Sequence, residues 1–84
     1  MALDLGPHNI RVNCVCAGPI LTPGLLNKYD GNREAIDKQE GEKTILRRVG
    51  LPREVGAAAL FLASDESSYI TGASLMVDGG YTAL

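Results

Sequence analysis

The chain contains a single histidine, His8, and two cysteines. No set of four metal ligands can be drawn from so few soft donors, so no metal site is expected. Cys14 and Cys16 are spaced C-x-C, not the C-x-x-C of redox and zinc sites. On a strand they share a face, where free thiols behave as small hydrophobes, so packing in the core is expected of both. Long apolar runs are also missing: none approaches the roughly 20 residues that cross a bilayer. The opening "MALDLGPHNI" lacks the charged-then-apolar layout of a secretory signal. Two cysteines without an export signal fit a reducing compartment, so the cytoplasm is expected. There is no basic excess, with 8 Lys and Arg against 10 Asp and Glu and a net charge of −2. The charges are interspersed, which leaves no electrostatic footprint for nucleic acid or a membrane surface.

What is present is a chain of 84 residues, 45% of them hydrophobic. Such a chain is one small domain or part of a larger one. At this length only about 60–65% of the unfolded surface is buried on folding, so stability is marginal unless something covers the rest. Residues 1 to 5 read as the end of a helix stopped by Gly6 and Pro7, with Gly6 available for a left-handed cap. Ile10 to Ala17 is small, β-branched and apolar on both alternating faces apart from Arg11 and Asn13, as suits a strand of a covered parallel sheet. Residues 22 to 48 are dense in charge and read as short amphipathic helices in a mobile excursion over a site, with Ile36, Ile45 and Leu46 facing inward. At Pro52 a helix begins with proline at its first position and Glu54 in its positively polarised first turn. It is apolar nearly all round, so it is covered on two sides, one by the sheet and one by another helix layer or subunit. "ASLMVDGG" is a second strand ending in a glycine turn.

Two parallel strands joined by a helix form a βαβ unit, and a two-stranded sheet cannot bury such a helix alone. The fold class expected is therefore α/β and part of a larger sheet. Asn13, polar within an apolar strand, must find partners, and a tie to a neighbouring loop is the expectation. Asp78, ahead of Gly79 and Gly80, is explained by turn chemistry. Gly18-Pro19-Ile20-Leu21-Thr22 lies beyond the carboxyl end of the first strand, where open α/β sheets bind ligands. There Gly18 permits close approach, Ile20 offers a free N–H and C=O, and Thr22 a hydroxyl. From spacing alone, a plain strand-ending loop is the favoured reading, since Gly-Pro loops commonly end strands.

"GPHNIRVNCVCAGPILT" and "RRVGLPREVGAAALFLASDESSYITGASLMVDGG", in this order, resemble the carboxyl-terminal part of short-chain dehydrogenases/reductases. The matching pieces are I-R-V-N, Gly-Pro-Ile-x-Thr, R-x-G-x-P-x-E-V, F-L-A-S-D, Y-I-T-G and V-D-G-G, and only the segment from about 23 to 47 falls outside them. The resemblance implies a partial Rossmann-type fold over residues 1–84: the last two parallel strands, a crossover helix and a substrate lid at about 23–47. It implies an NAD(P)(H)-dependent oxidoreductase acting on an alcohol/carbonyl pair, with NAD or NADP as cofactor. In the family the position of Ile20 meets the nicotinamide carboxamide by its backbone, and that of Thr22 contacts the carboxamide or the pyrophosphate. Gly18 and Pro19 shape the turn, and Leu25, Leu26 and Tyr29 belong to the lid. The helix at 52–64 and the last strand commonly form a subunit interface, so a homo-oligomer or association with full-length relatives is implied. Where the family usually has Pro-Gly, this chain has Ala17-Gly18, which restores an N–H without removing a backbone contact.

Other family features are absent from these 84 residues: the glycine-rich T-G-x-x-x-G-x-G turn, the catalytic serine, and the Y-x-x-x-K pair. None of Tyr29, Tyr69 and Tyr81 has a lysine four residues on. No catalytic residue is assigned, and the chain alone is expected to have no turnover and weak or no cofactor binding. The alternative from another class is a non-enzymatic interaction module that docks its apolar helix on full-length relatives.

Overall fold

The computed structural model describes residues 1–83. Its elements are α1 (Ala2–Leu5), β1 (Cys14–Ala17), α2 (Pro23–Lys28), α3 (Arg33–Glu40), α4 (Pro52–Ala63) and β2 (Ser74–Val77), with 3-10 turns at Gly6–His8, Asp65–Ser67 and Tyr81–Ala83. β1 and β2 pair in parallel, Cys14 opposite Ser74 through Ala17 opposite Val77. The helix-joined parallel pair is the partial α/β fold expected.

α1 does not end on a left-handed glycine. Gly6 stays helical at φ −54°, and the chain turns at Asn9, φ 60°. Asparagine tolerates that region because its short amide bonds locally. β1 is shorter than the apolar run because residues 11–13 reach the opposite segment with side-chain bonds as well as backbone ones. Arg11 donates to Ser67 Oγ, Ile70 O and Ser64 O, each at 3.1 Å. Asn13 donates to Ile70 O and accepts from Ala73 N–H, both at 3.0 Å, which is the tie expected of it.

α4 carries Pro52 at its first position, and Glu54 accepts the Leu51 N–H at 2.9 Å. Leu51 has no side-chain acceptor to return the bond, so only half a capping box forms. Val55, Ala58 and Leu62 turn toward the sheet, whereas Leu60 and Phe61 stay exposed, at 72% and 40%. One side of the helix is thus covered and the other is open.

The segment read as a mobile excursion holds much of the tightest packing. Ile36 and Val49 are both 0% exposed, and Thr44 is 2%. Gly41 lies against the Arg48 backbone, 2.6 Å from where its Cβ would stand. Thr44 Oγ donates to Gly41 O at 2.9 Å and accepts the Arg48 N–H at 3.3 Å. Ile45 and Leu46, expected inside, are 56% and 60% exposed. The turn after Gly41 spends its inward positions on Thr44 and Val49, which leaves the apolar pair pointing outward.

The cysteines are the other correction. Cys14 is exposed and Cys16 half-buried, with sulfurs 3.6 Å apart on one face. They share a face as expected, but α4 packs on the opposite side, near Val15, and no described layer covers the thiols. The Cys16 thiol is pushed up by its hydrogen bond with Cys14, then by partial burial and the neighbouring charge.

The accessible surface is 6028 Å² for 8.9 kDa, against about 4,800 Å² for a self-contained monomer of that mass. The radius of gyration is 15.7 Å, where a compact chain of this length gives about 12 Å. Both exceed what a self-contained monomer of this length has.

Candidate functional site

The loop at the carboxyl end of β1 is fixed from two directions. On one side Gly18 N–H continues the ladder to Val77 O at 3.1 Å. A Cβ on Gly18 would stand 2.6 Å from Asp78 Cβ and 2.8 Å from its Cα. The glycine is therefore demanded by the neighbouring strand end, a reason not visible in the spacing. Asp78 is consumed by its own turn. It accepts from Gly80 N–H at 3.0 Å, and from the Thr82 N–H and hydroxyl at 3.1 and 2.7 Å. Those bonds, the Thr82 hydroxyl first, hold its carboxyl below the ordinary range.

On the other side the loop meets Gly50 in an isolated parallel bridge with Ile20. Gly50 N–H donates to Pro19 O at 2.9 Å, and Leu21 N–H donates to Gly50 O at 2.8 Å. In such a bridge the bonds are made by the residues flanking Ile20, so its own N–H and C=O point the other way. Neither has a partner among the described residues.

Thr22 begins α2 as its N-cap, accepting the Leu25 N–H on Oγ at 3.1 Å. The cap uses a lone pair and leaves the hydroxyl proton free to donate. Pro19 and Ile20 border a cleft of about 380 Å³ whose apolar wall includes Ile45, Leu46 and Met76. A second cleft, of about 580 Å³, lies along Cys16 to Pro19 and is rimmed by Gln39, Glu40, Lys43, Tyr81 and Thr82. Leu25, Leu26 and Tyr29 line neither of these two clefts. Tyr29 instead joins the helices of the segment: its hydroxyl donates to Glu40 at 3.0 Å, beside the Lys28 ammonium. Partial burial and then the Glu40 bond push the Tyr29 hydroxyl up.

Sequence reasoning missed Ile45, Leu46 and Gly50 as neighbours of this loop. The signal was the apolar pair in "KTILRRVG", ahead of the R-x-G-x-P pattern. It also missed the Arg48 guanidinium, which binds Glu54 bidentately at 2.8 and 2.9 Å. That pair, followed by the Leu51 N–H, lowers the Glu54 carboxyl to about 2. The clamp therefore stays charged throughout the neutral range.

A parallel strand pair joined by a crossover helix, with an unspent peptide edge at the strand's carboxyl end, defines part of an open α/β domain. Residues 1–82 match the family profile described as Enoyl-(Acyl carrier protein) reductase. The chain is 48% identical over 82 residues to a cyclopentanol dehydrogenase from Comamonas testosteroni, covering 98% of this chain and 32% of that protein. Among solved structures, a short chain dehydrogenase family protein from Francisella tularensis superposes with a TM-score of 0.83 at 40% identity, covering 99% of this chain and 37% of that one. An NADPH-bound short chain oxidoreductase from Pseudomonas aeruginosa gives 0.87 at 32% identity, covering 95% of this chain and 32% of that one. The chain belongs to the short-chain dehydrogenase/reductase family and spans about a third of the length of the curated relatives it matches. No described helix is long and apolar enough to cross a membrane.

Proposed function

We propose that these residues form the nicotinamide side of an NAD(P)(H)-dependent oxidoreductase acting on an alcohol/carbonyl pair, and that they have no turnover alone. The observation that supports this best is the free peptide edge of Ile20. A nicotinamide carboxamide offers an acceptor and a donor side by side, and the Ile20 N–H and C=O are the complementary pair. The residues present fit that group. Ile20 orients it by its backbone, and Thr22 adds its remaining hydroxyl proton while capping α2. Gly18 and Pro19 shape the turn. When bound, the nicotinamide supplies or takes up the hydride.

Ile45, Leu46 and Met76 give the cleft beside Pro19 and Ile20 an apolar wall. The segment at 23–47, with Leu25, Leu26 and Tyr29, acts as the substrate lid, held in one piece by the Tyr29–Glu40 bond. The Y-x-x-x-K pair is absent from these residues, so no proton step is assigned to them. An alcohol as substrate is supported by the cyclopentanol dehydrogenase relative. The open side of α4, with Leu60 and Phe61 exposed, is suited to bind another subunit, as a homo-oligomer or with full-length relatives. The two free thiols fit the cytoplasm.

The test is a graft in which this chain replaces the corresponding third of the Comamonas enzyme. The graft is expected to bind a nicotinamide cofactor and oxidise an alcohol, while the 84-residue chain alone shows neither. Robust NADH oxidation by the chain alone, or a folded graft that binds no cofactor, contradicts the proposal.

A further inference from the structure

The bridge that leaves Ile20 unspent is made by a segment with no place of its own in either strand. Arg48, Val49 and Gly50 run past the loop as a short extended piece, and each is held separately. Val49 is 0% exposed, and its N–H donates to Asp37 Oδ1 on α3 at 3.0 Å. Arg48 is fixed through its backbone to Thr44 Oγ and through its side chain to Glu54 and Val49 O. Glu54 Oε1 holds the chain on both sides of Gly50, at the Arg48 guanidinium at 2.8 Å and the Leu51 N–H at 2.9 Å. Gly50 is left facing the loop, and there is little room between them. A Cβ on Gly50 would stand 2.8 Å from Ile20 Cδ1, 3.8 Å from Pro19 O and 3.9 Å from Glu54 Oε1.

We propose that Gly50 and Glu54 are positioning residues for the cofactor loop, acting through the Arg48–Gly50 segment to aim the Ile20 peptide edge. This rests on the reading of Ile20 as the carboxamide contact. Neither residue needs to touch the cofactor. The bonds Gly50 N–H to Pro19 O and Leu21 N–H to Gly50 O set the direction of the peptides on either side of Ile20. The strands do not depend on them, because Cys14 N–H to Ala73 O and Gly18 N–H to Val77 O form independently. Loss of the bridge would thus free residues 19 to 21 while the sheet stayed paired. The same segment is anchored to α3 through Asp37, so the lid and the cofactor loop share one support.

Gly50→Ala is a weak probe, since the Ile20 Cδ1 it meets is the tip of a side chain that can rotate. Gly50→Val adds two γ-carbons that crowd Ile20 and the Pro19 carbonyl, and Glu54→Ala removes the clamp. Glu54→Gln keeps an acceptor for Leu51 N–H. In the chain itself, amide hydrogen exchange should find Leu21 and Gly50 protected and Ile20 open. Glu54→Ala and Gly50→Val should reduce Leu21 protection about tenfold or more, with Cys14 and Gly18 unchanged. A Leu21 amide that exchanges as fast as that of Ile20, or that keeps its protection in Gly50→Val, overturns the proposal.

In the graft, both variants should lower kcat about ten- to a hundredfold, the range for reacting groups displaced by about an ångström. The deuterium isotope effect on kcat should rise, cofactor Kd should change less than kcat, and Glu54→Gln should recover part of the loss. Gly6→Ala, with nothing within 4 Å of the added carbon, is the neutral control. An unchanged isotope effect in variants that still bind cofactor overturns the positioning role and leaves the Ile20 contact standing. Failure of the unaltered graft to bind cofactor overturns the contact itself.

Discussion

Ile36→Ala is expected to abolish cooperative unfolding of the chain. Ile36 and Val49 are the fully buried apolar side chains among the described residues. Truncating a buried isoleucine costs about 2–5 kcal/mol through lost transfer energy and the cavity left behind. A domain of this length ordinarily has about 4–13 kcal/mol in total. This chain sits at the low end, since its 6028 Å² of surface exceeds the monomer scaling by about a quarter. Leu60→Ala is the comparison. At 72% exposed, that side chain should change stability by no more than about 0.5 kcal/mol. Urea unfolding followed by circular dichroism separates the two, and equal midpoints would show that the packing around Ile36 is misassigned.

Ile20→Pro in the grafted enzyme should lower kcat/KM for the cofactor about ten- to a hundredfold while the enzyme still folds. The reason lies in where the Ile20 N–H goes. It has no partner among the described residues, so a proline there removes a donor that the chain does not use internally. Against a bound carboxamide the same change leaves a buried acceptor unsatisfied, a loss of about 1–3 kcal/mol. Ile20→Val keeps the N–H and most of the packing against Gly50, and should stay close to the unaltered graft. Equal kinetics for the two variants would mean that the peptide edge does not carry the contact.

Elements with strong local signals were legible in the sequence. Pro52 and Glu54 mark the start of α4, and of the two covered sides its apolar pattern implies, the described residues supply one, at the sheet. Asn13 could be read because a buried amide in an apolar strand must find partners, and it does so at Ile70 and Ala73. What could not be read was set by contacts far apart in sequence. The inward positions after Gly41 depend on how Thr44 folds back on the Arg48 backbone, so Ile45 and Leu46 were assigned to the wrong side. The cysteine face depends on which side of β1 receives α4, and apolar periodicity is silent on that. Gly18, read as permitting a close approach, meets a demand the spacing does not show, since a Cβ there would run into Asp78, 60 positions along the chain. The bridge to Gly50 had no signature beyond a family pattern, yet it is what leaves Ile20 unspent.

The most direct measurement is the amide resonance of Ile20 in a ¹⁵N-labelled graft as NAD(P)H is added. The expected result is that the Ile20 N–H shifts strongly, while Leu21 and Gly50, already bonded in the bridge, move little. Saturable cofactor binding with an unmoved Ile20 amide would contradict the placement of the nicotinamide on this loop.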